Sequence, residues 1–106
     1  MFKEFINSKG DCVFCFVGID PYNYILDVFQ FFESKFNPTS KISKSGWHST
    51  IMEYQLSDVI ITISDLNDVL CITLQSPINE ARINLVRKWV EIIDEEIQKT
   101  NKRNKE

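Results

Sequence analysis

Cys12-Val13-Phe14-Cys15 is the tightest grouping of reactive side chains in the chain, and C-x-x-C spacing can serve a redox pair or half of a zinc site. A redox pair sets its attacking thiol at a helix N-terminus, where the thiolate is stabilised, but these cysteines lie in an apolar run ahead of any helical pattern. In a strand, residues three apart point to opposite faces. Zinc would need His48 and Cys71 to complete four ligands, and Cys71 falls in the middle of an alternating, strand-like segment. The expectation is structural cysteines, with no metal and no cofactor.

His48 is the single histidine, so acid/base chemistry near neutral pH would rest on it or on a carboxylate of raised pKa. Its neighbour Ser49 would face the other way in a strand, and no glycine-flanked serine of the nucleophile-elbow kind occurs. Gly18-Ile19-Asp20-Pro21 joins a strand to a helix without the further glycines and the lysine of a phosphate loop. No catalytic residue is assigned. A second kind of chemistry is available to Glu53, Asp58, Asp65 and Asp68, carboxylates near predicted turns, together with Trp47 and Tyr54. Aromatic residues beside acids are the composition that anchors a protein interface and steers a basic partner. These six positions are the expected partner-binding residues.

The elements that must position them follow from periodicity. Val59, Ile61 and Ile63 alternate with polar or smaller residues, and after the break at 65–68 the alternation resumes with Leu70, Ile72 and Leu74, a hairpin pattern. Ser76 and Pro77 then offer an N-cap and a first-turn proline to a helix carrying Ile78, Leu85, Val86, Trp89, Ile93 and Ile97. Earlier, residues 12–19 read as a strand apolar on both faces, which suits a central place in a sheet. Asp20 and Pro21 open a first helix with Ile25, Val28, Phe29, Phe32 and Phe36 at helical spacing, closed by Asn37-Pro38. Residues 37–46 read as a polar surface loop, 47–56 as a strand suited to an edge, and 99–106 as a fraying tail. Residues 1–10 fit a short helix or a further strand equally.

The resulting order, β-α-β-β-β-α, predicts one α+β domain over residues 1–106. Its sheet would be four-stranded and mixed or largely antiparallel, with both helices on one face and the other face open. From the first helix onward the order α-β-β-β-α resembles the double-stranded RNA-binding module. That module grips phosphates through a lysine cluster at the start of its last helix, whereas this helix opens Ser76-Pro77-Ile78-Asn79-Glu80, so nucleic acid is not an expected partner. The second helix also carries apolar borders, Ile83, Val90 and Ile97 on one side and Leu85 and Ile92 on the other. Packing against Tyr24, Leu26 or Phe31 of the first helix would cover them, as would a second protein chain.

At 106 residues, 43% apolar and 25% charged, the composition is that of one globular domain. No apolar run approaches the roughly 20 residues of a membrane span. The first residues include an acid and lead to no small-residue cleavage site, and an odd number of cysteines, three, suits a reducing compartment, so a cytoplasmic address is expected. A net charge of −3 and a pI near 5.1 favour a basic protein partner over phosphates. The architecture resembles that of assorted bacterial immunity proteins. The functional expectation is therefore a small non-enzymatic protein of the immunity or antitoxin kind that binds and neutralises a basic toxin domain, such as a nuclease, as monomer or homodimer. Two alternatives are a dimeric secretion-type chaperone and a small enzyme or metal-binding protein using His48 and the cysteines.

Overall fold

Six strands and two helices form the computed structural model, in the order β1 (Phe2–Ile6), β2 (Cys12–Phe16), α1 (Pro21–Phe36), β3 (Ser40–Ser43), β4 (Ile51–Leu56), β5 (Val59–Ser64), β6 (Cys71–Leu74) and α2 (Glu80–Lys105). It describes residues 2–46, 49–56, 58–65 and 68–105, with side chains as far as residue 99. The strands make one sheet in the order β1-β2-β6-β5-β4-β3, and every neighbouring pair is antiparallel. The sheet thus has six strands where the sequence suggested four. The additional two are its edges, β1 from the ambiguous N-terminal segment and β3 from the stretch read as a loop.

Both were hard to see for the same reason. An edge strand pairs on one side and buries little, so the sequence pays no penalty for polar residues there: all four residues of β3 and four of the five in β1 are exposed. The presence of β3 outside β4 also moves β4 inward from the edge position expected for residues 47–56. The central place of β2 holds, between β1 and β6.

Every strand residue in the hydrophobic core belongs to one face of the sheet: Cys12, Phe14 and Phe16 of β2, Ile72 and Leu74 of β6, Val59, Ile61 and Ile63 of β5, Tyr54 and Leu56 of β4. Tyr24, Ile25, Val28, Phe29 and Phe32 of α1 and Val86, Val90, Ile93 and Ile97 of α2 complete the same core, so both helices lie on that face. Phe32 stands at the junction, its ring centroid 4.9 Å from Tyr54, 5.1 Å from Phe36 and 6.2 Å from Trp89. Full burial of such rings contributes a few kcal/mol each.

Helix α1 begins as its sequence implies. Asp20 accepts a hydrogen bond from the Tyr22 amide at 3.0 Å, Pro21 occupies the first turn, and Asn37 closes the helix in the left-handed region at φ 48°. Helix α2 begins later than Ser76-Pro77 suggested. Its cap is Asn79, whose Oδ1 accepts from the Arg82 amide at 2.9 Å, while the Ser76 amide is engaged by Asp11 Oδ1 at 2.8 Å. The Asp11 contact ties the β1–β2 turn to the exit of β6. At its other end α2 runs to Lys105.

Candidate protein-binding surface

The face turned away from the helices is covered by no described element. Cross-strand register builds it as lateral rows, because directly opposed residues in an antiparallel sheet share a face. The middle row runs edge to edge as Phe5, Val13, Thr73, Thr62, Glu53 and Ile42. On one side of it lie Lys3, Cys15, Cys71, Ser64 and Ile51, and on the other Ile60, Gln55 and Ser40. Five inter-strand spacings make the plate about 24 Å wide.

Its most exposed apolar side chains sit at the rims. Phe5 is 49% exposed and Ile42 50% exposed, whereas Val13, beside Phe5, is buried. Thr62, Thr73 and Ser64 give the middle a hydroxyl character. This arrangement can accept apolar side chains at two separated points and hydrogen bonds between them, and it costs a partner little desolvation of charge.

Glu53 is the one expected site residue on this plate, and it is already engaged. Its Oε1 accepts from Lys44 Nζ and from Gln75 Nε2, each at 2.9 Å, and Gln75 Nε2 also reaches Thr62 Oγ1 at 3.1 Å. The Lys44 and Gln75 donors hold the Glu53 carboxyl below the usual carboxylate range.

Tyr54 must be reassigned. It faces the helices, fully buried, and its hydroxyl donates to Glu33 Oε2 at 2.8 Å, so it holds the core together and offers nothing to a partner. Burial first, and the adjacent Glu33 second, push its phenol pKa upward. The physical reason is register: Tyr54 opposes Ile61, a core residue of β5.

The remaining acids do not form one patch. Asp58 precedes β5, where it is exposed and pairs with Arg82 Nη2 at 2.9 Å, and Asp65 follows the same strand at its far end, about 20 Å away. Asp65 Oδ1 accepts from the Thr50 amide at 2.6 Å, so it pins the start of β4 to the end of β5. Asp68 lies in the same connection, exposed and left-handed at φ 59°. Trp47 and His48 lie outside the described residues.

The three thiols cannot converge on one metal, since Cys12 points into the core while Cys15 and Cys71 lie on the open face. Among the described residues no cluster of three or more His, Cys, Asp or Glu side chains could hold a metal ion. No helix among them is long and apolar enough to cross a membrane.

The apolar borders of α2 are mostly met within the chain. Val90 and Ile97 are buried, Ile83 packs on the core and Trp89 stacks on Phe36 at 5.1 Å. Leu85, 44% exposed, and Leu26 of α1, 69% exposed, stay outside. Between the helices, Tyr24, Val28, Phe31, Ile93 and Ile97 floor a groove of about 180 Å³ with Asp27 and Glu96 at its mouth.

Sequence reasoning missed Phe5, Val13 and Ile42 as members of the open face. The signal available was weak: Phe2 and Phe5, three apart, fall on opposite faces of a strand and give no alternation, and Lys41-Ile42-Ser43 is too short to separate a strand from a loop. Comparison with protein-family models, with curated proteins and with solved structures gave no match to this chain.

Proposed function

We propose that this chain is a non-catalytic protein-binding protein whose open sheet face receives its partner, and that it acts as an inhibitor of the immunity or antitoxin kind on a basic toxin domain. The observation that carries the reading is the uncovered middle row from Phe5 to Ile42, with apolar residues at its ends, hydroxyls between them and a single carboxylate held by in-chain donors. A flat surface of that composition suits a macromolecule better than a small substrate, which calls for a concave, mostly enclosed site. The acidic balance, −3 overall, supplies the preference for a basic partner, with Asp68 and its surroundings steering the approach from one end of the sheet.

The test is capture of the partner from the native host by tagged wild-type chain, set against Thr73→Lys, which puts a bulky cation in the middle of the plate. The expected result is one basic protein retained by wild type, at least tenfold less retained by the variant, and toxic to the host when produced without this chain. Equal retention by wild type and Thr73→Lys removes the sheet face as the docking surface. A retained partner that is harmless on its own removes the inhibitor role and leaves the face.

A further inference from the structure

The C-x-x-C motif separates its two thiols, but the sheet supplies Cys15 with a different partner. Cys15 opposes Cys71 directly across the β2–β6 ladder, on the open face. The ladder also settles which kind of opposed pair they form. The Phe16 amide donates to the Leu70 carbonyl at 2.9 Å, which makes the next position along a hydrogen-bonded pair. Hydrogen-bonded and non-hydrogen-bonded pairs alternate in an antiparallel sheet, so Cys15 and Cys71 occupy a non-hydrogen-bonded position. There the Cα atoms are about 4.5 Å apart, within the range of about 4.4–6.8 Å that a disulfide spans, and the β-carbons need approach by only about 1 Å.

We propose that Cys15 and Cys71 form a reversible cross-strand dithiol site, closed to a disulfide by exchange with a low-molecular-weight disulfide such as oxidised glutathione. The inference rests on the ladder alone and does not depend on the proposed function. The Cys15 sulfur, partly exposed, attacks one sulfur of the small disulfide; that S–S bond breaks, one small thiolate leaves, and a mixed disulfide forms on Cys15. Cys71 then gives up its proton to water and its sulfur attacks the Cys15 sulfur, expelling the second small thiolate. The dithiol is oxidised, the small disulfide is reduced to two thiols, and the two protons released by the chain are taken up by the leaving thiolates. Burial first, and the neighbouring Cys15 second, push the Cys71 thiol pKa upward, so the second step sets the pace. Cys12, buried on the opposite side, takes no part.

The experiment is incubation of the folded full chain with excess oxidised glutathione in native buffer, followed by thiol counting and non-reducing peptide mapping by mass spectrometry. The expected result is a fall from three free thiols to one, a peptide linking Cys15 to Cys71, Cys12 still free, a raised melting temperature, and full reversal by dithiothreitol. Cys71→Ser, a mild change on the solvent-facing side, should instead retain glutathione on Cys15 at least tenfold longer than wild type. The proposal is overturned if wild type keeps three thiols, stops at glutathione-modified Cys15 with Cys71 free, or links through Cys12. A linked form that melts below the reduced chain overturns it as well, because the ladder would then not accommodate the bond.

Discussion

The Tyr54 phenol links α1 to the sheet by both packing and a hydrogen bond. The Tyr54 ring packs on Phe32 and Phe29, its hydroxyl donates to Glu33 Oε2, and Glu33 Oε1 in turn accepts from Lys41 Nζ at 2.8 Å, so β4, α1 and β3 are joined through three side chains. Tyr54→Phe keeps the ring and removes the hydrogen bond, which should cost about 1–2 kcal/mol in a urea unfolding series. The folded phenol ionises above its ordinary 10.0, so its contribution is complete below about pH 10 and fades as the pH rises beyond that. Stability of wild type should therefore fall in that alkaline window more steeply than that of Tyr54→Phe. The carboxyls run the opposite way. Lys41 beside Glu33, Lys44 beside Glu53 and Arg87 beside Glu4 hold those groups below 4.5, so what they contribute is present above that pH and lost as it drops. The Glu33 and Glu53 pairs lie at the surface and are worth about 0.2–1 kcal/mol each. The urea midpoint should be flat from pH 7 to 5 and decline below about 4.5, less steeply in Glu53→Gln. The sequence contains these residues but not their pairings, since Glu33 meets Tyr54 across 21 positions and Arg87 meets Glu4 across 83.

At the scale of elements, local chemistry was legible wherever neighbours in sequence satisfy one another. The Asp20 cap, the Pro21 start and the stop at Asn37 all follow from single residues, as does the alternation of β5. The start of α2 was not, because Ser76-Pro77 and Asn79 both offer cap chemistry; the structure caps the helix with Asn79, while the Ser76 amide donates to Asp11 of the distant β1–β2 turn. Asn79→Ala should destabilise by about 1 kcal/mol in thermal or urea unfolding, as loss of a cap does. Ser76→Ala, at an exposed residue, should stay within about 0.5 kcal/mol of wild type. A reversed order of effects would return the cap to Ser76. Helix α1 offers a parallel contrast between its faces. Phe32→Ala, at the meeting point of α1, α2 and β4, should cost about 3–5 kcal/mol, whereas Leu26→Ala, largely exposed, should stay within about 0.5 kcal/mol.

At the scale of the whole molecule, two edge strands widen the uncovered plate and carry its half-exposed Phe5 and Ile42, while Asp58 and Asp65 stand at opposite ends of β5, as their places in the sequence imply. Steering by charge acts on approach rather than on residence and weakens with salt. For a captured partner, Asp68→Asn should lower the association rate a few-fold at low ionic strength, with little effect at high salt and little on dissociation, as read by surface-based kinetics. Alternation and helical spacing determined, without any fold, that the chain is α+β, that β5 and β6 form a hairpin, that two amphipathic helices cover the sheet, and which side of β5 and β6 they cover. Those features are set by residues a few positions apart, whose burial demands are written in their spacing. The edge strands, the inward place of Tyr54 and the meeting of Cys15 with Cys71 came only with the tertiary structure. The edge strands bury too little to leave a pattern, Tyr54 is turned inward by its register with Ile61, and the Cys15–Cys71 meeting depends on register between strands far apart in sequence, which no one strand's own pattern decides.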